Sequence, residues 1–163
     1  MSDTFDPVQY ARSMGYSEEE LQGVPDGLVC HGCGNPVALA ELQEGETVLD
    51  LGSGGGLDAF LAAIRVGPAG RVVGVDSAAE AVAKATEAAS EGGYANVVFE
   101  VGRMEQLPLK DESMDVVISN CVVNHAADKL AVFREVLRCL RPGGRLVLTD
   151  LVVEGEFSQA ALV

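Results

Sequence analysis

The chain has 163 residues, and its 11 basic side chains against 25 acidic ones give a formal net charge of −14. This length fits one domain with a hydrophobic core, and a hydrophobic content of 48% excludes an intrinsically disordered protein. The acidic balance argues against nucleic acid and anionic membrane surfaces as partners, because both are bound through clustered Lys and Arg.

The sequence gives no sign of a membrane span or a secretory signal. No window approaches the roughly 18 apolar residues that a span needs, and Asp3 and Asp6 lie where a signal peptide would carry basic residues. We therefore expect a cytoplasmic protein. In that reducing compartment, cysteines are expected to be free thiols rather than disulfides. The cysteines are Cys30, Cys33, Cys121 and Cys139.

Residues 1–45 have the pattern of short helices. Ser17 and Glu20 have the spacing of a capping box, and Asn35 precedes Pro36 as a cap residue precedes the first helical position. From residue 46 onward the pattern changes to short runs rich in Val, Ile and Leu, which fit strands buried on both faces of a parallel sheet. The runs are Thr47–Leu51, Arg71–Val75, Val97–Val101, Asp115–Ser119 and Arg145–Val153.

Helical patterns separate several of these runs. A helix is predicted over Ser77–Glu91, with a capping box formed by Ser77 and Glu80 and with Val82, Ala85 and Ala89 on one face. Two further apolar stripes are Leu57, Phe60, Leu61 and Ile64, and Leu130, Phe133, Leu137 and Leu140. This alternation predicts a doubly wound, mostly parallel α/β sheet with right-handed crossovers, which binds ligands at the carboxyl ends of its strands.

A glycine-rich loop follows the first predicted strand. Gly52, Gly54 and Gly56 allow positive φ and close approach of backbone N–H groups to a ligand. The dinucleotide pattern would place its third glycine at Leu57, which argues against NAD. Asp76, at the end of the second strand, lies where a carboxylate accepts hydrogen bonds from ribose hydroxyls.

Asp50 distinguishes among the nucleoside cofactors that remain. An acid just before the glycines would repel a pyrophosphate but attract the sulfonium and amino groups of S-adenosylmethionine (SAM). The predicted cofactor is therefore SAM, bound by Asp50, Gly52, Ser53, Gly54 and Asp76. The alternative is a glycine-rich turn beside a solvated acid.

Residues 46–153 resemble the SAM-binding, Rossmann-like domain of class I methyltransferases. The resemblance rests on residues 50–56, Asp76, the Leu107-Pro108-Leu109 segment with Asp111, and residues 140–144. It implies that Met104 and Glu105 lie beside the adenine, although Met104 could equally be core filling. It also implies two strands beyond the fifth, for which residues 154–163 are too few, so we expect those strands to be missing and the tail to be short.

Two cysteine segments are predicted near the same edge of the sheet. Cys33 lies in a loop before a helix, and Cys121 follows the fourth strand. Thiolates are soft ligands that suit a thiophilic ion or metalloid. On spacing alone, Cys30, Cys33, Cys121 and His125 could instead form a Cys₃His zinc site, or the cysteines could be small buried hydrophobes.

The segments Gly32–Pro36, Leu49–Gly56 and Ser119–Asn124, with Asp128-Lys129, resemble the arsenite methyltransferase family. The resemblance implies SAM-dependent methylation of trivalent arsenic, as arsenite or a thiol conjugate, with a thiol reductant as a second partner. It makes Cys33 and Cys121 arsenic ligands and catalytic residues. The chain is short at its C-terminus relative to that family, whose further cysteine would lie beyond Val163, so Cys30 is predicted as the third ligand.

The sequence leaves several alternatives open. One is a methyltransferase for another small molecule, and another is a non-catalytic short form that binds SAM or a metalloid. Cys139 is predicted to be structural, because it shares a helix face with Val132 and Val136. We expect residues 1–45 to pack over the cofactor site, and the open edge of the fifth strand to allow a homodimer.

Overall fold

The computed structural model describes residues 6–152. Its strands are β1 (Thr47–Leu51), β2 (Arg71–Asp76), β3 (Val97–Val101), β4 (Met114–Asn120) and β5 (Leu140–Thr149). Within the described residues they form one five-stranded sheet in the order β3-β2-β1-β4-β5, with every neighbouring pair parallel. The predicted α/β class and parallel sheet are confirmed.

Helices connect and precede these strands. They are α1 (Pro7–Ser13), α2 (Glu18–Gln22), α3 (Pro36–Leu39), α4 (Leu57–Val66), α5 (Ala79–Glu91) and α6 (Lys129–Cys139), with a 3₁₀ turn over Val123–His125. None of the helices between residues 6 and 152 combines the length and apolar character that a membrane span requires.

The sheet has an apolar core on each face, as the unbroken Val and Leu runs predict. Along β1, Val48 packs into the core that contains α4, while Leu49 packs into the opposite core that contains α6. Both side chains are fully buried. Successive side chains of the strand therefore point to opposite faces and pack into two different cores. Because both faces are buried, the strand sequence has no polar face.

The N-terminal helices lie on the α4 side of the sheet. Ala11 and Tyr16 belong to the same core as α4, and the Tyr10 hydroxyl donates to the Gly32 carbonyl at 3.0 Å. Arg65 of α4 also pairs with Glu20 at 3.0 Å. This segment is thereby held against the domain that begins at β1, while the division at residue 45 stays a prediction.

Two of the three predicted helix starts are confirmed. Ser17 and Glu20 form a complete capping box, and the Asn35 side chain accepts from the backbone N–H of Ala38. The capping box predicted at Ser77 is wrong. Helix α5 begins at Ala79 with Ala78 at its N-cap, and an alanine has no side-chain oxygen that could cap the helix. The backbone N–H of Ala78 donates to the Asp76 carboxylate at 2.8 Å.

Strand β5 differs from its predicted range. It starts at Leu140 and ends at Thr149, whereas the predicted strand ran from Arg145 to Val153. The early start includes an irregular register between Met114 and Val116 of β4, across from the glycine-containing turn. In the described residues β5 lies at one end of the sheet. The predicted tail over 154–163 lies outside the described residues.

The apolar stripe predicted for α6 is wrong in part. Leu130 and Leu137 are 60% and 71% exposed, and the buried face consists of Val132, Val136 and Cys139. Helix α6 continues into β5 without an intervening residue, so the strand fixes the rotation of the helix and turns Cys139 inward. The predicted structural role of Cys139 agrees with this packing. Ile64 of α4 is also exposed, at 48%.

A pair of adjacent substitutions tests the orientation of α6. Val136→Ala removes buried methyl groups and should lower the free energy of unfolding by about 1.5 to 3 kcal/mol. Leu137→Ala, on the exposed face, should change it by less than about 0.5 kcal/mol. Urea denaturation of both variants measures the difference, and a larger loss for Leu137→Ala would contradict the described packing.

Candidate functional site

A cavity of about 230 Å³ opens at the carboxyl edge of the sheet. It lies between the glycine loop after β1, the loop before α3 and the segment after β4. This is the position at which parallel α/β sheets bind ligands. Among the side chains that line it are Tyr16, Cys30, Asp50, Ser53, Asp58 and Cys121.

The glycine loop is held close to the neighbouring strands. Its Gly52 has φ +75°, and an added Cβ there would lie 2.5 Å from a methyl group of Val122. The backbone N–H groups of Gly52 and Ser53 both donate to the Val75 carbonyl. Position 52 therefore requires glycine for two reasons. The backbone there has a positive φ, and a side chain would collide with Val122.

Asp76 supports this loop directly. One carboxylate oxygen accepts from the backbone N–H of Gly54 at 2.9 Å, and the other accepts from Ala78. Asp76 is not among the residues that line the cavity. Its predicted contact with a ribose stays a prediction, and its visible role is to fix the loop at the start of the site.

Asp50 is a buried acid with one unsatisfied oxygen. It is 2% exposed, and within residues 6–152 its Oδ2 atom has no hydrogen-bond partner, as is also true of the Ser53 hydroxyl. Burial raises the pKa of Asp50 well above its ordinary range, and the negative charges of Asp58 and Asp76 raise it further. A buried carboxylate with one unsatisfied oxygen at the wall of a cavity fits a ligand that carries positive charge and N–H donors.

Asp58, Tyr16 and Asn120 form a buried network that the sequence analysis missed. The Tyr16 hydroxyl donates to Asp58 at 2.6 Å, and the Asn120 amide donates to the other carboxylate oxygen at 3.0 Å. Burial raises the pKa of Asp58, and burial together with Asp58 raises that of Tyr16. The available signal was an acid in the first turn of α4, which on its own is a common helix feature.

The structure brings two of the predicted thiols together. The Sγ atoms of Cys33 and Cys121 and a carboxylate oxygen of Asp150 all lie within 4.8 Å of one another, and all three residues are half-buried. Burial, the hydrogen bond and charge of Cys121, and the charge of Asp150 together raise the pKa of Cys33 to about 12. Asp150 was not predicted as a site residue, because it lay inside the predicted strand Arg145–Val153, which ends at Thr149 in the structure.

Cys30 lies apart from this group. Its side chain is 4% exposed and lies against Tyr16 and Asp58. Burial raises the pKa of its thiol and the charge of Asp58 raises it further, whereas the hydrogen bond with Tyr16 lowers it. The cluster of three ligand atoms found within residues 6–152 includes neither Cys30 nor His125. The alternative Cys₃His zinc set is therefore not assembled. The role of Cys30 as a third arsenic ligand stays a prediction.

Asn120 also positions the thiol pair. Its Oδ1 atom accepts from the Cys33 backbone N–H at 2.9 Å and from the Thr149 hydroxyl at 2.8 Å. A Cβ at Gly32 would collide with the same amide. Cys121 itself has φ +59°, an uncommon conformation for a non-glycine residue, and its N–H donates to the Thr149 carbonyl.

Met104 and Glu105 lie in the turn after β3. Met104 packs against the α6-side core, and Glu105 pairs with Arg103 at 3.5 Å. Neither residue lines the cavity, so their predicted positions beside an adenine stay predictions. The contact of Met104 with the core is what ordinary core filling would give.

These features together define a domain of the class I methyltransferase type. They are the strand order, the glycine loop after β1 and the acids near the ends of β1 and β2. A family model described as "Methyltransferase domain" matches residues 42–162. The chain belongs to this family.

Individual relatives narrow the resemblance. The chain is 50% identical over 145 residues to the arsenite methyltransferase of Halobacterium salinarum, and 37% identical over 147 residues to that of Mus musculus. These matches cover 88% and 83% of this chain and 37% and 39% of the relatives. The chain therefore spans less than half the length of these relatives. The predicted resemblance to arsenite methyltransferases is confirmed.

Two solved structures share the fold. The arsenic(III) S-adenosylmethionine methyltransferase of Chlamydomonas reinhardtii is 35% identical with a TM-score of 0.73, over 97% of this chain and 53% of that one. A SAM-dependent methyltransferase from Aquifex aeolicus is 25% identical with a TM-score of 0.69, over 98% and 81%. The descriptions of both solved structures name SAM, which is the predicted cofactor.

The buried acids give the ligand-free protein a characteristic pH dependence. The pKa of Asp50 is higher in the folded state than its ordinary value of 3.8, so the folded state holds the proton more tightly. The free energy of unfolding should then fall as pH rises above that value. Asp50→Asn removes this contribution, and its stability should decline less steeply.

Urea denaturation across the acidic to neutral range measures this slope. The exposed Asp26→Asn is the matched control, and it should reproduce the parent curve. An equally steep decline in Asp50→Asn and in the parent would show that Asp50 ionises freely in the folded protein.

Proposed function

We propose that this chain binds SAM at the glycine loop and transfers its methyl group to trivalent arsenic held by Cys33 and Cys121. The observation that carries the proposal is the pair of thiols at the same sheet edge as Asp50, whose Oδ2 atom has no hydrogen-bond partner within residues 6–152. The similarity to arsenite methyltransferases over most of this chain supports the substrate.

Five residues in and around the glycine loop bind SAM in this proposal. Asp50 faces the charged amino acid end, where its unsatisfied oxygen gains a donor and a cation. The backbone of Gly52, Ser53 and Gly54 closes around the ligand, and Asp76 holds that loop and takes the ribose hydroxyls. SAM supplies an electrophilic methyl group when bound.

Met104 and Glu105 contact the adenine of SAM in this proposal. Both follow β3, whose carboxyl end lies on the ligand-binding edge of the sheet. The Glu105 side chain is 20% exposed, and it keeps carboxylate capacity beyond its ion pair with Arg103 for an amino group.

The arsenic part depends on thiol chemistry. Trivalent arsenic is soft and binds thiolates, so binding displaces the protons of Cys33 and Cys121. Cys33 and Cys121 would present the arsenic lone pair to SAM held at the glycine loop, and SAM would supply its methyl group as an electrophile, with S-adenosylhomocysteine as the leaving product. No strong general base is needed, because the nucleophile is an arsenic lone pair that carries no proton, and the protein would contribute mainly by positioning the arsenic. The arsenic is oxidised in this step, so a thiol reductant returns it to the trivalent state.

Cys30 is the proposed third ligand, and it must move to reach the other two. Its thiol is buried against Tyr16 in the wall of the cavity that Cys121 also lines. Rearrangement of the loop between Cys30 and Cys33 would bring it to the pair.

A non-catalytic form that binds SAM and the metalloid is the second candidate. It is favoured by the convergence of two thiols instead of three within the described residues. A third candidate is methylation of another small molecule, which would require neither Cys33 nor Cys121. A cytoplasmic location and a homodimer through the edge of β5 complete the proposal.

Asp76→Ala tests the cofactor site. Loss of the acceptor for the Gly54 N–H and for the ribose should weaken SAM binding roughly ten-fold or more, as expected for hydrogen bonds to a charged group. Calorimetric titration with SAM measures the affinity. Glu91→Ala, at the exposed end of α5, is the control and should bind as the parent does. Unchanged affinity in Asp76→Ala would defeat the assignment.

Single cysteine variants test the arsenic site. Cys33→Ser and Cys121→Ser should each lose most arsenite binding, because each leaves a single thiol of the convergent pair. Cys30→Ser should weaken binding if its loop rearranges, and the core variant Cys139→Ser should bind normally. Arsenite titration is followed by an assay for methylated arsenic with SAM and a thiol reductant.

The outcomes separate the candidates. Arsenite binding with methylated product supports the enzyme, and arsenite binding without product supports the non-catalytic form. If neither Cys33→Ser nor Cys121→Ser alters binding, the arsenic assignment is wrong and the SAM-binding domain alone remains.

A further inference from the structure

The group formed by Cys33, Cys121 and Asp150 contains a carboxylate that arsenic chemistry does not explain. Its three ligand atoms lie within 4.8 Å of one another, and each belongs to a different segment of the chain. Two soft sulfurs and one hard oxygen form a mixed donor set. Trivalent arsenic is soft and binds thiolates in preference to a carboxylate oxygen, whereas Zn²⁺ binds both thiolates and carboxylates.

The three donors are held in place by neighbouring contacts. Asn120 accepts from the backbone N–H of Cys33, and Cys121 follows Asn120 directly in the chain. Thr149, which precedes Asp150, donates its hydroxyl to the same Asn120 oxygen at 2.8 Å. One amide therefore fixes the backbone beside all three donors. Such support from outside the ligand shell is a feature of preorganised metal sites.

Asn124 supports two of the donors directly. Its side-chain amide donates to an Asp150 oxygen at 2.6 Å and lies 3.8 Å from the Cys121 sulfur. Its backbone N–H donates to the second carboxylate oxygen at 3.0 Å. These contacts orient the carboxylate and still leave it lone pairs for a cation.

The charges in this group favour a cation. Within residues 6–152, Asp150 forms no ion pair with a Lys, Arg or His side chain. All three donors carry negative charge once the thiols lose their protons. A divalent ion would neutralise them, and their partial exposure leaves room for water as a further ligand.

We propose that Cys33, Cys121 and Asp150 form a binding site for a thiophilic divalent cation, with Zn²⁺ as the ion that best fits two thiolates and one carboxylate. Zinc–sulfur bonds of about 2.3 Å place two sulfurs about 3.8 Å apart in a tetrahedron, so donors within 4.8 Å need only a small closure. Binding releases the two thiol protons to solvent. The fourth position is taken by water or by an added thiol.

This site goes beyond the proposed function and does not depend on it. It shares the thiols with arsenite but adds the carboxylate, so the two ligands exclude each other while responding differently to Asp150. Zn²⁺ would then act as a competitor that occupies the thiols when arsenite is absent.

The experiment titrates the reduced 163-residue chain with Zn²⁺ in the presence of a non-thiol reductant. Cd²⁺ serves as a second probe, because its thiolate absorption counts the bound sulfurs. We expect one ion per chain and two thiolates per ion. Cys33→Ser, Cys121→Ser and Asp150→Asn should each weaken binding at least ten-fold, since even loss of an outer-shell partner costs roughly 10- to 100-fold. Asn124→Ala, which removes such a partner, tests the support independently.

Cys139→Ala is the matched control, because that thiol is buried in the α6-side core, and it should bind Zn²⁺ as the parent does. Circular dichroism confirms that each variant is folded. Zn²⁺ affinity that is unchanged in both Asp150→Asn and Asn124→Ala would overturn the proposal, as would absence of binding to the parent chain.

Arsenite titrations of the same proteins separate this inference from the proposed function. Asp150→Asn should retain arsenite binding within a few-fold while losing Zn²⁺. Zn²⁺ binding by a parent chain that does not bind arsenite would refute the proposed substrate and support the cation site. The reverse result would support the substrate and refute the cation site.

Discussion

The side-chain amide of Asn120 joins the segments that form the site. Its oxygen accepts from the Cys33 N–H and the Thr149 hydroxyl, and its nitrogen donates to the Gly34 carbonyl, to Asp58 and to the Tyr16 hydroxyl. The cysteine loop, β5, α4 and the N-terminal segment thus meet at one group. An aspartate in this position would place a carboxylate oxygen, instead of the amide donor, 3.0 Å from Asp58, so even this isosteric exchange should disrupt the network.

The site concentrates negative charge in a domain that is already acidic. Asp50 and Asp58 are both almost completely buried, and their charged forms are disfavoured without a cation. The domain bears this cost because its sheet is buried on both faces, with Val116 and Val117 fully enclosed on opposite sides. The cost is recovered when a positively charged ligand binds, since the ligand then favours the ionised carboxylates.

The sequence predicts this fold well where local pattern and burial agree. The run containing Val48 indicates a doubly buried strand, and Cys121 is placed at the sheet edge because it follows such a run. The face of α6 is not predictable in the same way, since the stripe through Leu137 and the observed face have similar periodicity and the connection to β5 decides between them. Asn120 and Asp150 acquire their roles from residues about 30 to 100 positions away, so no local spacing indicates them.

The backbone at Cys121 has an evolutionary consequence. A side chain at φ +59° is held there at a cost that glycine or asparagine would largely avoid. Selection for stability alone therefore favours replacing this cysteine, and only a requirement for its sulfur opposes the change. In lineages that no longer need the thiol pair, position 121 should be among the first to drift to glycine or asparagine, and a comparison of sequences that lack cysteine at position 33 would reveal it.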